Sequence, residues 1–209
     1  ETNAIIKGVV GWVDLRDEKV EEELAVLARN PKFRGVRHVV QSEPDDRFML
    51  REDFLRGIGR LHQFGLTYDI LIYPNQLPAA IELVRKFPHQ QFVLDHIAKP
   101  QIKDGILEPW KKQIIELATH GNVHCKVSGI VTEADHQSWK PEQIRPYLDI
   151  VFEAFGPERL MWGSDWPVCQ LAANYEQTFQ LIEDYARPLS EEARAGLFGE
   201  NAARFYRVS

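Results

Sequence analysis

Asp165 stands in the stretch Leu160-Met161-Trp162-Gly163-Ser164-Asp165-Trp166-Pro167-Val168, where a strand-like apolar start runs into two small residues, a carboxylate and a proline. A carboxylate there has two readings. It can be held at an opening, with Gly163 and Ser164 letting backbone or ligand approach, or it can cap the next turn, because Ser-Asp-Trp-Pro is also turn chemistry. His96, in Val93-Leu94-Asp95-His96, poses a similar choice between a satisfied core histidine and a working one. Phe92, Leu94 and His96 share one face by the period of two, so a ring at the last position is expected to point into the opening. An imidazole and a carboxylate on separate strand ends suit acid–base catalysis or metal ligation. Spacing does not choose between them.

Groups like these need a scaffold that ends several strands at one place. Six strands are expected, at Gly8–Leu15, Arg34–Val40, Thr67–Tyr73, Gln91–His96, Val123–Ser128 and Arg159–Gly163. Helical segments are expected at Glu18–Ala28, Asp53–Phe64, Pro78–Phe87, Glu108–Thr119, Pro141–Phe155 and Tyr175–Tyr185, with Glu191–Phe198 and Asn201–Tyr206 closing the chain. Leu24, Leu27 and Ala28 show the spacing of a packed helix face, and Ser190 reads as an N-cap. This alternation is the signature of βα units around a parallel sheet. No G-x-G-x-x-G opens a helix after the first strand, so a dinucleotide fold is not supported. Most of a (β/α)8 TIM barrel is the remaining expectation, with residues 1–209 as a single domain.

In a barrel, polar residues at the C-terminal strand ends converge on one mouth. Asp14, Arg37, His38, Gln41, Tyr73, Asp95, His96, Lys126, Ser128 and Asp165 all fall at such ends. Buried without partners, each would cost roughly 1–3 kcal/mol; at a barrel mouth they stay hydrated and usable.

The 209 residues are 44% hydrophobic and carry a net charge of −6, so a sizeable core is available and no basic footprint for nucleic acid or anionic lipid is evident. No apolar run approaches the ~20 residues that span a bilayer, and Glu1-Thr2-Asn3-Ala4 does not open a signal peptide, so a cytoplasmic protein is expected. Cys125 and Cys169 have no metal or redox spacing, and no disulfide is expected.

VLDHIAKP (93–100), CKVSG (125–129), LMWGSDWPV (160–168), GVVGWVDL (8–15) and GVRHVVQ (35–41) closely resemble the amidohydrolase-2 branch of the amidohydrolase superfamily. The best match within it is the group of sugar-acid lactonases, such as those acting on L-fucono-1,5-lactone. The resemblance implies a (β/α)8 barrel that hydrolyses a lactone ring, with Asp165 as general base and His96 binding the substrate carbonyl or a divalent metal such as zinc. It admits a metal-free mechanism as well. Arg37, His38 and Gln41 match the cluster facing substrate; Trp12 and Tyr73 would line the same mouth, with Lys126 and Trp166 as weaker matches. Lactonases acting on dicarboxylate rings would need more cations than Arg37 and Lys126, which favours a small neutral sugar lactone as the partner. The fold is compatible with a homodimer.

The chain departs from the family in lacking a His-x-His motif, and GVVGWVDL matches the family's third strand. Strands three to eight of the barrel are therefore expected here, in a chain that reads as a segment of a longer protein. Two alternatives stand beside lactone hydrolysis: a catalytically silent barrel fragment or binding protein, and a metal-dependent decarboxylase of the same superfamily.

Overall fold

The structure, a computed structural model, describes residues 3–209. Its centre is a sheet of six parallel strands in sequential order: β1 (Val9–Gly11), β2 (Phe33–His38), β3 (Thr67–Ile70), β4 (Phe92–Leu94), β5 (Val123–Val127) and β6 (Leu160–Trp162). The sheet curls into a half-barrel. All six expected strands are present, each shorter than the apolar run that announces it, because the chain bends away at the C-terminal end of each strand.

Helices α1 (Val20–Leu27), α2 (Glu52–Leu61), α3 (Leu77–Lys86), α4 (Trp110–Ala118), α5 (Pro141–Phe155) and α6 (Tyr175–Ala186) follow the strands. In α2, Phe54, Gly57, Ile58 and Leu61 are buried, the three-to-four spacing of one packed face. Gly57 is required there, since a Cβ would lie 2.0 Å from the Leu15 carbonyl oxygen. The buried face of α1 is Val20 and Leu24, while Leu27 and Ala28 are only half-buried. The Asn174 side chain accepts from Gln177 N at 2.8 Å and opens α6. Ser190 accepts from Ala193 N at 3.2 Å and opens the short α7 (Glu191–Ala195). A π-turn over Gly196–Glu200 leads into α8 (Asn201–Tyr206).

Alternation divides the sheet into two unlike faces. Val36, Tyr68, Ile70, Phe92, Leu94, Cys125 and Val127 join the helices in one continuous core. The other face holds Arg37, Asp69, Val93 and His124, in register on adjacent strands, with Lys126 beside Met161. Helix α8 packs into that hollow, where Phe205 meets Val93 and Met161. The two cysteines are free and buried, and no helix among the described residues is long and apolar enough to cross a membrane.

Candidate active site

His96 does not continue β4. The strand ends at Leu94, and His96, Ile97, Ala98 and Lys99 all have positive φ, from 49° to 59°. Four consecutive left-handed residues without a glycine are costly, roughly 1–2 kcal/mol each. Burial of Ile97 and Ala98 and a 2.8 Å hydrogen bond from Trp110 Nε1 to the Ile97 carbonyl hold the turn in place. The period-of-two argument therefore needs correcting: Phe92 and Leu94 face the helices, and a continued strand would have sent His96 the same way. The left-handed turn swings the ring into the opening instead.

The ring is then fixed from β5. His96 Nδ1 lies 2.8 Å from Ser128 Oγ, and Gly129, at φ 60°, leaves room for it, since a Cβ there would come within 2.8 Å of the ring. Burial lowers the pKa of the imidazole and favours its neutral form, although the Asp95 and Asp165 carboxylates pull the other way. Asp165 follows β6 through Gly163 and Ser164, itself at φ 54°. Its Oδ1 is 3.5 Å from His96 Nε2, and both side chains are largely buried. Asp165 is also part of a turn, because its carbonyl accepts from Cys169 N at 2.9 Å. The carboxylate therefore lies in the opening, and the turn is closed by the backbone carbonyl rather than by the carboxylate.

Beside this pair lies a buried charge cluster. Lys126 Nζ is 2.5 Å from Asp69 Oδ2 and 2.8 Å from Asp95 Oδ1, and both carboxylates are almost fully buried. Arg37 Nη1 donates to Asp95 Oδ2 at 3.1 Å, and Tyr206 Oη donates to Asp69 Oδ2 at 2.8 Å. Burial acts against the charge of Lys126, but the two carboxylates outweigh it and raise its pKa well above the ordinary lysine value. Burial pushes Asp95 up, yet the cations of Lys126 and Arg37 and the neighbouring His96 hold it below the usual carboxylate range.

A cleft of about 470 Å³ joins these groups, lined by Arg37, His96, Lys126, Asp165, Trp166 and Tyr206 among others. That volume lies within the range of small-molecule sites. The structure thus brings together five of the sequence candidates: His96, Asp165, Arg37, Lys126 and Trp166. It does not bring His38, Trp12, Gln41 or Tyr73 to the walls of this cleft. His38 faces the helices, stacked 4.9 Å from Phe48, with Nε2 2.7 Å from Glu43 and Nδ1 accepting from Trp12 Nε1. The alternation that points Arg37 inward points its neighbour outward. Gln41 donates its backbone N–H to the Leu71 carbonyl, and Tyr73 lies beneath the Lys99 ammonium, 5.5 Å from ring centre to nitrogen.

Asp69 and Tyr206 were absent from the sequence candidates, whereas Asp95 and Ser128 were read only as strand-end polar residues with no role given. For Asp69 a signal existed: a carboxylate inside the apolar run Tyr68-Asp69-Ile70-Leu71 demands a buried partner. Tyr206 gives none, since its target lies 137 residues away.

The residues fit a metal in part. A 3.5 Å separation of His96 Nε2 and Asp165 Oδ1 matches the roughly 3.4 Å edge of a tetrahedral site with zinc bonds near 2.0–2.1 Å, and ligation needs a neutral ring. Among the described residues, no group of three or more His, Cys, Asp or Glu could share an ion, so this chain offers two positions of such a site.

An amidohydrolase family model matches residues 1–208. An L-fucono-1,5-lactonase of Burkholderia ambifaria is 41% identical over 98% of this chain and 72% of its own length. An L-rhamnono-gamma-lactonase of Scheffersomyces stipitis is 24% identical over 98% of this chain and 70% of its own. The crystal structure of an amidohydrolase from Burkholderia multivorans with bound zinc superposes with a TM-score of 0.95 at 40% identity, over 99% of this chain and 75% of that one. With its parallel half-barrel and its strand-end histidine and aspartate, this chain belongs to the amidohydrolase family.

Proposed function

We propose that the protein hydrolyses a sugar-acid lactone, of the class that includes L-fucono-1,5-lactone, to its aldonic acid, with Asp165 as general base. The observation that carries this is the approach of His96 Nε2 and Asp165 Oδ1 to 3.5 Å across two left-handed turns at the end of the sheet. Such backbone cost is retained where it places groups for use. Lactonases among the relatives support the same reaction class.

In the reaction, Asp165 takes a proton from a water whose oxygen attacks the lactone carbonyl carbon. The ring C–O bond then breaks, and Asp165 returns the proton to the departing ring oxygen. His96 serves the carbonyl oxygen. When Nδ1 accepts from the Ser128 hydroxyl, Nε2 carries the hydrogen and donates it to the oxygen on which charge develops. When Nδ1 donates to Ser128, the Nε2 lone pair is free for a metal. A divalent metal such as zinc would be held by His96 and Asp165 and would supply Lewis acidity and a more acidic bound water.

Charge supports a neutral substrate. The cations beside the cleft, Arg37 and Lys126, are paired with Asp95 and Asp69, and Asp165 adds a further negative charge. A dicarboxylate ring would meet no unpaired cation among these residues, whereas a hydroxyl-rich ring finds donors, acceptors and the exposed Trp166 face. Asp165→Asn tests the reading: kcat on an aldonolactone should fall about 10²–10⁴-fold with KM little changed and the fold intact. Turnover at the wild-type rate would overturn the role of Asp165.

A further inference from the structure

Tyr206, Asp69, Lys126, Asp95 and Arg37 form one continuous chain of contacts from the C-terminal helix to the cleft. Five elements supply it: α8, β3, β5, the turn after β4 and β2, the last bringing Arg37. Two buried carboxylates, one on β3 and one at the start of the turn after β4, repel each other and are tolerated only with cations between them. Lys126 fills that role, with its Nζ within 2.8 Å of both. Apolar residues of similar volume often stabilise a fold as well as a buried ion cluster does, so stability alone gives little reason for this arrangement. Its ends are informative. Arg37 is half-exposed and lines the cleft, and Asp95 begins the left-handed turn that carries His96.

We propose that Lys126 is a positioning residue: it fixes the Asp95 carboxylate, which in turn orients the Arg37 guanidinium toward an oxygen of the bound ring, with Tyr206 and Asp69 anchoring the far side of Lys126. This rests, for Arg37 as a substrate contact, on the lactone-hydrolysis reading. The guanidinium gives one N–H to Asp95 and keeps its other donors for a hydroxyl or carbonyl oxygen. Lys126 directs its charge at the two buried carboxylates, beside the Tyr206 ring 5.6 Å from Nζ.

A double-mutant cycle of Arg37→Ala, Lys126→Met and the double variant on an aldonolactone separates positioning from mere structure. Lys126→Met should lower kcat/KM about 10–100-fold, chiefly through KM, and the double variant should lose no more than about 2–3-fold beyond Arg37→Ala alone. Losses that multiply would overturn the proposal. Tyr206→Phe removes a single hydroxyl and serves if Lys126→Met does not fold; it should raise KM about 2–5-fold and be silent in the Arg37→Ala background. A second readout needs no turnover: the Arg37 Nε–Hε NMR signal, assigned by its loss in Arg37→Ala, should shift and exchange faster in Lys126→Met or Tyr206→Phe. Absence of wild-type turnover would count against the lactonase reading alone. An unmoved Arg37 signal would count against the positioning role.

Discussion

His38 and His96 are both histidines at the C-terminal end of a parallel strand, and the structure treats them in opposite ways. His38 keeps its place in β2, so the pleat sends it to the helix side among Phe48 and Phe54. His96 leaves the β geometry one residue after β4 ends, and four left-handed residues turn it to the inner side. A strand end is therefore not by itself an address. What decides is whether the backbone obeys the pleat or breaks it, and the break at residues 96–99 is held against strain by buried neighbours.

Substitution at the two positions should separate chemistry from packing. His96→Asn should lower kcat on a lactone about 10²–10³-fold while the melting temperature stays close to wild type. His38→Ala should do the reverse. It removes a ring stacked on Phe48 and bonded to Glu43, costing about 2–4 kcal/mol of stability, with turnover per folded molecule unchanged. Denaturation and steady-state kinetics on the same preparations decide; a large kcat loss in His38→Ala would erase the contrast.

Gly129→Ala should fall between these extremes. The new Cβ would occupy a left-handed position and press on the His96 ring at 2.8 Å, so both quantities should move: about 1–3 kcal/mol in stability and about tenfold or more in kcat. An alanine variant with wild-type kcat would mean that the ring can yield without consequence.

The same contrast explains what the sequence made legible. Strand and helix positions followed from periodicity, because burial on a sheet enforces a period and the core of this chain obeys it from Val36 to Leu160. Asp165 was legible because small residues and a proline surround it. His96 was picked out by the right residue type but through an alternation that the chain does not follow. No glycine marks the turn at 96–99; its stability comes from Trp110 and the buried Ile97, contacts that a local pattern cannot carry. The Lys126 cluster was legible only as isolated charges, since its partners lie on β3, after β4 and in α8.

A third histidine sharpens the comparison at its smallest scale. His124 is on β5, faces the hollow and lies 4.7 Å from the Phe205 ring. It does no proposed chemistry, yet burial, with smaller contributions from Arg159 and Arg204 against Glu158, lowers its pKa from 6.5 to about 4. The folded protein therefore keeps the ring neutral where the unfolded chain would protonate it. Between pH 6.5 and about 4 the unfolded state binds more protons, so stability falls as the pH drops through that window and the contribution is complete above it. After allowance for the water that reaches the ring, the loss by pH 5 should be about 1 kcal/mol, or about 2–4 °C in melting temperature for a chain of this size. His124→Gln should show a correspondingly smaller fall between pH 7 and pH 5. If the two proteins lose stability in parallel, the acid sensitivity belongs to other groups, and the seal that α8 makes over the inner face is looser than the Phe205 contact implies.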